Sequence, residues 1–352
     1  MPNKIAQFVL ERNNEQSTAF SSPDASLARR KYRSLHPTEI AALKCMDGRL
    51  NLAVITQTPV GIIQPFRNIG GKFDMGWPYF GRLMLEWVDY AVSKGRNALL
   101  LITYHYSKGD THRGCKGFGY DTDAARVYTA NLKKQAEAVF GFGHAVVYPI
   151  QVGIETDDDG LIVHSQDGRT LDMSEVGDIT EDELRARIIR LFPDMQMQVV
   201  DDLLALLLGN HNHIKAVRAM QRPVADVEHK EQILAIGRGF DWLHLLNKAF
   251  IIGPYDTDLV KPIATASKLL LDNLNAGRIP KEEGLLIMIG TAYRYEAGPE
   301  KPWAIEKAKT LAHFTMAVIQ DHAPELLDHA QVLVGAVNQN TRVFNQITIS
   351  KY

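Results

Sequence analysis

Two short segments carry the residues best suited to chemistry. Cys45-Met46-Asp47-Gly48-Arg49 sets a thiol, a carboxylate and a guanidinium at alternate positions. The stretch from His105 to Cys115, which also contains His112, supplies imidazoles and the chain's second and last cysteine. Two thiolates and one imidazole can hold zinc with one of four positions left open, the arrangement of a catalytic rather than a structural site. Asp47 and Arg49 then read as parts of a reaction. A lone cysteine is most often a small buried hydrophobe, and a lone Asp–Arg pair is a surface ion pair of little energetic value. Their spacing in one segment favours the functional reading.

These residues need rigid elements to position them. Ile40–Lys44 reads as a buried strand that delivers Cys45 at its end, and period-two alternation puts Cys45, Asp47 and Arg49 on one face if strand geometry persists. Val60–Ile63 leads into a glycine-rich loop, Phe66-Arg67-Asn68-Ile69-Gly70-Gly71. From Trp77 to Lys94 the residues Phe80, Leu83, Met84, Trp87, Val88 and Ala91 follow helical spacing, and Gly95 is placed to cap the helix. Ala98–Thr103 is a second buried strand, pointing His105 out of its C-terminal end. Asp121–Phe140 is a further helix. Alternating strands and helices predict a mostly parallel sheet flanked by helices, with its site at the C-terminal strand ends.

Around this core lie other readings. Residues 1–37 form an arm: Asn13–Thr18 is polar and patternless, and Leu27–Leu35 is a short basic helix before Pro37. Ala145–Val152 and Gly160–His164 make a hairpin around Asp157-Asp158-Asp159-Gly160, where a turn is favoured over a calcium loop. Thr180-Glu181-Asp182-Glu183 is a capping box, and Gln198–Leu208 a helix. His211 and His213, with no cysteine or carboxylate cluster beside them, read as part of a solvated loop rather than a second metal site.

The bulk numbers exclude more than they assign. A net charge of −2 gives no electrostatic case for nucleic acid or an anionic membrane. No apolar run approaches the ~18–20 residues of a membrane span. The N-terminus lacks a signal-peptide core, and two distant cysteines make no disulfide framework. The expectation is a cytoplasmic protein, a compartment that suits thiolate ligands.

A degraded repeat follows. Glu231–Gly237 echoes Glu39–Cys45, Lys261–Ala276 with Gly277 echoes the Trp77 helix, and Gly284–Thr291 echoes the His105 strand. On this register Cys45 maps to Gly237, Asp47 to Gly239, Arg49 to Asp241 and His105 to Thr291, so the second half keeps the architecture and loses the metal.

Together these residues resemble the β-class carbonic anhydrases. The motifs that carry the likeness are Cys45-Met46-Asp47-Gly48-Arg49, Arg67-Asn68-Ile69-Gly70, Tyr90-Ala91-Val92 and the strand Leu99–His105, covering roughly residues 38–155. A tandem arrangement with a silent second half is similar to the carboxysome-shell branch, although the long helical N-terminal domain of that branch is not in this sequence. The family places its histidine three residues before the second cysteine, a spacing that His112 has. Ungapped extension from Tyr90-Ala91-Val92 reaches His105 instead. A rigid strand end holds a ligand better than a loop, which favours His105 and makes Ser107–Gly114 an insertion, with His112 the alternative. Lys116 stands where the family has glycine.

The resemblance implies a β-carbonic-anhydrase-like fold and a tandem pseudo-dimer. It divides the chain into the arm (1–37), a zinc-binding catalytic domain (38–175), a helical connection (176–228) and a repeat without metal ligands (229–352). It implies zinc on Cys45, His105 and Cys115, and reversible hydration of CO2 to bicarbonate by zinc-bound hydroxide. Asp47 would orient the hydroxide, Arg49 would hold Asp47, and Asp47 could close the site by binding zinc. His112, if not a ligand, is a candidate proton shuttle. The partners implied are CO2 and bicarbonate, a second copy of the chain, and a carboxysome or similar compartment. The alternatives are hydrolysis of COS or CS2 on the same fold, and a zinc-stabilised scaffold with little turnover.

Overall fold

A computed structural model describes residues 3–141, 146–243 and 246–347; Ala145, the expected start of the hairpin strand, lies outside them. The stretch expected to be an arm is helical: α1 (Lys4–Ser21) and α2 (Pro23–Leu35). Next come β1 (Glu39–Cys45), the one-turn α3 (Leu52–Ile55), β2 (Ile63–Asn68), α4 (Pro78–Ser93) and β3 (Ala98–Tyr106). They are followed by α5 (Thr122–Phe140), β4 (Val147–Glu155), β5 (Gly160–His164), β6 (Thr170–Asp172), α6 (Glu181–Leu191) and α7 (Met197–Met220). The last third holds β7 (Ile233–Gly237), β8 (Ala249–Ile252), α8 (Val260–Asn275), β9 (Leu285–Tyr293) and α9 (Glu300–His322). It ends with α10 (Leu326–His329), β10 (Ala330–Asn338) and β11 (Phe344–Gln346).

The chain forms two units, one of residues 27–45 and 50–227, the other of residues 1–26, 46–49 and 228–352. In the first unit the sheet order is β2-β1-β3-β4-β5-β6. The first four strands are parallel, and β5 and β6 return antiparallel. Every residue of β1 and β4 is buried, which is why these strands read as unbroken apolar runs rather than alternating ones. α4 buries the expected stripe, with Phe80 edge-on to Phe66 of β2. The Thr180 capping box starts α6 as expected. The glycine-rich loop is shorter than its sequence implies: Phe66–Asn68 belongs to β2, and only Ile69–Gly71 turns.

His211 and His213 correct the loop reading, since both lie inside α7. The helix continues because Asn210 and His213 have tertiary partners. His213 pairs with Asp159 at 2.9 Å, and the buried Asn210 donates to Ile55 O and Asp159 O while accepting from Leu161 N.

The second unit has sheet order β11-β10-β9-β7-β8. Its parallel part, β8-β7-β9-β10, has the strand order of β2-β1-β3-β4 in the first. Gly237, the position the repeat reading aligns with Cys45, can carry no side chain: its φ is 115°, and a Cβ would stand 1.9 Å from Gly290 O. α1 packs Ile5, Ala6 and Val9 against Ile233, Ala235, Leu286 and Met288 of this unit. Its polar turn continues the same face, with Asn13 accepting from Phe344 N at 2.9 Å and donating to Arg342 O at 2.9 Å.

Candidate metal centre

β1 and β3 run side by side and bring their C-terminal ends together. They are registered by Leu43 opposite Ile102, and Thr103 Oγ1 donates to Leu43 O at 3.0 Å. β3 runs three residues further than the sequence predicts, so His105 sits within the strand, opposite Ile154 of β4, rather than beyond its end. The turn after β2 closes over both strand ends. At Gly71, φ is 63° and a Cβ would lie 3.1 Å from Thr103 O and 3.5 Å from Cys45 N, so backbone alone fits there.

Cys45, His105 and Cys115 meet at this end of the sheet, all buried, with their ligand atoms within 4.8 Å of one another. The two Sγ atoms are 3.8 Å apart. That is far too long for a disulfide and equals the edge of a tetrahedron with Zn–S bonds of about 2.3 Å. His105 is 2% exposed, yet among the described residues neither Nδ1 nor Nε2 has a hydrogen-bond partner. Leaving such a group unpaired costs about 1–3 kcal/mol. A soft cation between the two sulfurs would give that imidazole a partner, so the donor set fits zinc. His112 is elsewhere: its side chain is 78% exposed and hydrogen-bonds Asp110 at 3.2 Å. Lys116, at the family's glycine position, lies over the Tyr120 ring at 5.0 Å.

Asp47 and Arg49 belong to the second unit. β1 stops at Cys45, and Met46–Arg49 pairs with β8 instead. Ile251 N donates to Met46 O at 2.8 Å, Gly48 N donates to Ala249 O at 2.9 Å, and Asp47 stands opposite Phe250. Arg49 folds onto Asp47: its backbone N donates at 2.9 Å, Nε at 3.1 Å to each carboxylate oxygen, and Nη2 at 2.6 Å.

Two further residues join this cluster that the sequence did not single out. His229 Nε2 is 3.2 Å from Arg49 Nη2, and its Nδ1 is 2.8 Å from Glu231 Oε1. Glu231 is buried and also accepts from Asn273 Nδ2 at 3.3 Å. An arginine can only donate, so the neutral His229 ring carries its proton on Nδ1, toward Glu231. Burial pushes the His229 pKa down, but the Glu231 charge and hydrogen bond outweigh it and leave it raised. The His-x-Glu spacing on the approach to β7 was the available signal, since alternate residues share a face.

Among the described residues, no helix is long and apolar enough to cross a membrane. Residues 33–233, more than half of the chain, match the family model described as carboxysome shell carbonic anhydrase, catalytic domain. Curated relatives named carboxysome shell carbonic anhydrase include one from Prochlorococcus marinus, 24% identical over 314 residues, covering 81% of this chain and 60% of the relative. One from Hydrogenovibrio crunogenus is 26% identical over 254 residues, 62% of this chain and 48% of the relative. One from Halothiobacillus neapolitanus is 24% identical over 327 residues, 80% of this chain and 61% of the relative. The chain thus spans about half to three fifths of the length of these relatives. With the match reaching across both cysteines, His105, Asp47 and Arg49, the chain belongs to the carboxysome shell carbonic anhydrase family.

Proposed function

We propose that this chain catalyses the zinc-dependent, reversible hydration of CO2 to bicarbonate, with Cys45, His105 and Cys115 holding the metal. The observation that carries the reading is the buried His105 imidazole, beside two thiols and, among the described residues, without a hydrogen-bond partner on either nitrogen. Zinc there supplies Lewis acidity, which makes water acidic near neutral pH. Two thiolates cancel the charge of the dication, so this acidification is weaker than with neutral ligands alone.

The remaining work falls to residues of the chain. Asp47, two residues after Cys45 in sequence, accepts a hydrogen bond from the attacking water and so aims its lone pair at the CO2 carbon. Arg49 stops that carboxylate rotating, by the charge-assisted contacts described above. For Asp47 to bind metal and close the site, it would first have to leave Arg49. Each hydration releases one proton with bicarbonate, and the exposed His112 is the candidate to pass it to buffer. From its relatives' names we extend to this chain an association with a carboxysome shell, and from the family likeness a homodimer or higher homo-oligomer.

Stopped-flow CO2 hydration by the zinc-loaded chain between about pH 6 and 9 tests the reading, because the water must lose its proton within that span. The expected result is turnover that rises with pH. Zinc-loaded protein that hydrates no CO2 at any pH would overturn it.

A further inference from the structure

The two sulfurs reach the centre by different routes. Cys45 ends a buried strand. Cys115 returns after the loop Ser107–Gly114, which reads Ser-Lys-Gly-Asp-Thr-His-Arg-Gly and has no large apolar side chain to bury. Packing cannot fix such a segment; hydrogen bonds must. Four of those that tie it to the rest of the unit converge on one carboxylate. Asp157 accepts from Ser107 Oγ at 2.9 and 2.8 Å, from Gly109 N at 2.7 Å and from Arg113 Nη1 at 3.2 Å. These contacts take hold of the beginning, the middle and the end of the loop. Ser107 Oγ passes the constraint on by accepting from Asp110 N at 3.0 Å.

Asp157 is itself held still. The neighbouring Glu155, buried in β4, accepts from Lys108 N at 2.9 Å, Asp157 N at 3.0 Å and Asp158 N at 2.8 Å. Thr156 N donates to Tyr106 O at 2.8 Å, tying the turn to the end of β3. Arg222 donates to Thr156 O at 2.9 Å and to Asp159 Oδ2 at 2.7 Å, and also to Asp157 O. The turn between β4 and β5 is thus a rigid bracket, with Asp157 reaching along the loop and Glu155 holding it at Lys108. Burial alone would raise the Asp157 pKa, but the Gly109 N–H and the Ser107 hydroxyl hold it below the ordinary carboxylate range, in its accepting form.

We propose that Asp157 is a positioning residue for the metal centre: it fixes the Ser107–Gly114 loop so that the Cys115 thiol is presented beside Cys45 and His105. This rests on the zinc reading of those three residues. A preorganised third ligand raises metal affinity because its loop entropy has already been lost on folding. Removing a residue that orients a ligand weakens metal binding by roughly 10- to 100-fold.

The test is zinc competition against a chromophoric chelator, with the full chain and its Asp157→Asn variant. Asn keeps the shape but loses the charge, and its amide faces donors with a donor. The expected result is zinc held about 10- to 100-fold more weakly, with faster release from the folded protein. Asp167→Asn, on the exposed Asp167–Arg169 pair in the next turn, between β5 and β6, should leave zinc affinity as it is. In a Cys115→Ser background the Asp157→Asn substitution should cost nothing further, because its effect runs through that sulfur. If Asp157→Asn fails to fold, Ser107→Ala removes one anchor and should weaken zinc in the same sense. Wild-type zinc affinity in Asp157→Asn, or an equal loss in the Cys115→Ser background, would overturn the proposal. A wild-type chain that holds no zinc would instead overturn the metal reading, and this proposal with it.

Discussion

Arg49 and Asp47 are joined by the guanidinium and the backbone at once: Nη2 is 2.6 Å from one carboxylate oxygen, and the Arg49 amide is 2.9 Å from the other. Both side chains are nearly sealed from solvent, at 5% and 3% exposure. Buried charge held this way has one stable arrangement, and that is what the orienting role proposed for Asp47 needs.

Arg49→Ala should therefore damage both stability and turnover. Removing one partner of a buried ion pair costs about 3–5 kcal/mol, because the other charge stays behind. Arg49→Lys restores the charge but not the fork, so it should regain most of the stability and little of the activity. Thermal unfolding and stopped-flow kcat/KM on the two variants check this. A lysine variant with full activity would show that charge alone suffices.

His105 and His112 separate in a metal assay. Cys45→Ser and His105→Ala should each lower bound zinc from about one per chain to a small fraction, since three protein ligands are the minimum for such a site. His112→Ala, at an exposed position, should keep its zinc and lose rate only in dilute buffer, with recovery on adding free imidazole. Elemental analysis of zinc and buffer-dependent rates decide the matter. Zinc lost from His112→Ala and kept by His105→Ala would reverse the assignment of the ligand.

The elements that carry the ligands were legible because they are buried on every side. β1, β3 and the α4 stripe appear in the sequence as apolar runs or helical spacing, and fixed strand ends put Cys45 and His105 together. What could not be read is held by polar residues with distant partners. Asn13 and Ser17 continue the buried face of α1, but apolar periodicity is blind to them, and the partners of Asn13 are some 330 residues away. Asn210 and His211 look like a solvated loop until β5 and α3 are placed beside α7. His229 gains meaning only from Arg49, 180 residues earlier. The hairpin at Asp157 was legible as a turn. Its grip on the ligand loop was not, because that depends on which loop the β4 register brings alongside.

His229 should leave a signature in the pH dependence of stability. Its folded pKa is raised above 6.5 by Glu231 against the opposing effect of burial. Between the unfolded and folded values the folded chain binds more protons, so its stability falls as pH rises through that window. The contribution is complete below the unfolded pKa and lost above the folded one. Arg49 and Asp47 also face the ring, with Arg49 favouring the neutral form and Asp47 the charged one. His229→Gln removes the titration, so wild type should lose stability relative to the variant on going from acid to mildly alkaline buffer. Chemical denaturation at several pH values gives both curves, and parallel curves would refute the assignment.

Asn210 offers a test of the frame rather than the chemistry. Its side chain makes three hydrogen bonds, donating to Ile55 O at 3.1 Å and Asp159 O at 2.8 Å and accepting from Leu161 N at 3.0 Å. Asn210→Leu would bury comparable volume but strand two carbonyls and one amide away from water. At about 1–3 kcal/mol for each buried group left unpaired, the loss should reach at least about 3 kcal/mol. For a folding unit of this size that corresponds to a fall of roughly 6–12 °C in the unfolding midpoint. Because Asp159 and Leu161 flank the turn that carries Asp157, the same substitution should loosen the bracket behind the ligand loop. Zinc release from the folded variant should then quicken, while the Cys45 side of the centre, set by β1 and β3, stays in place. A variant that unfolds at the wild-type midpoint would mean that water replaces the lost contacts, and that α7 is not what holds the turn.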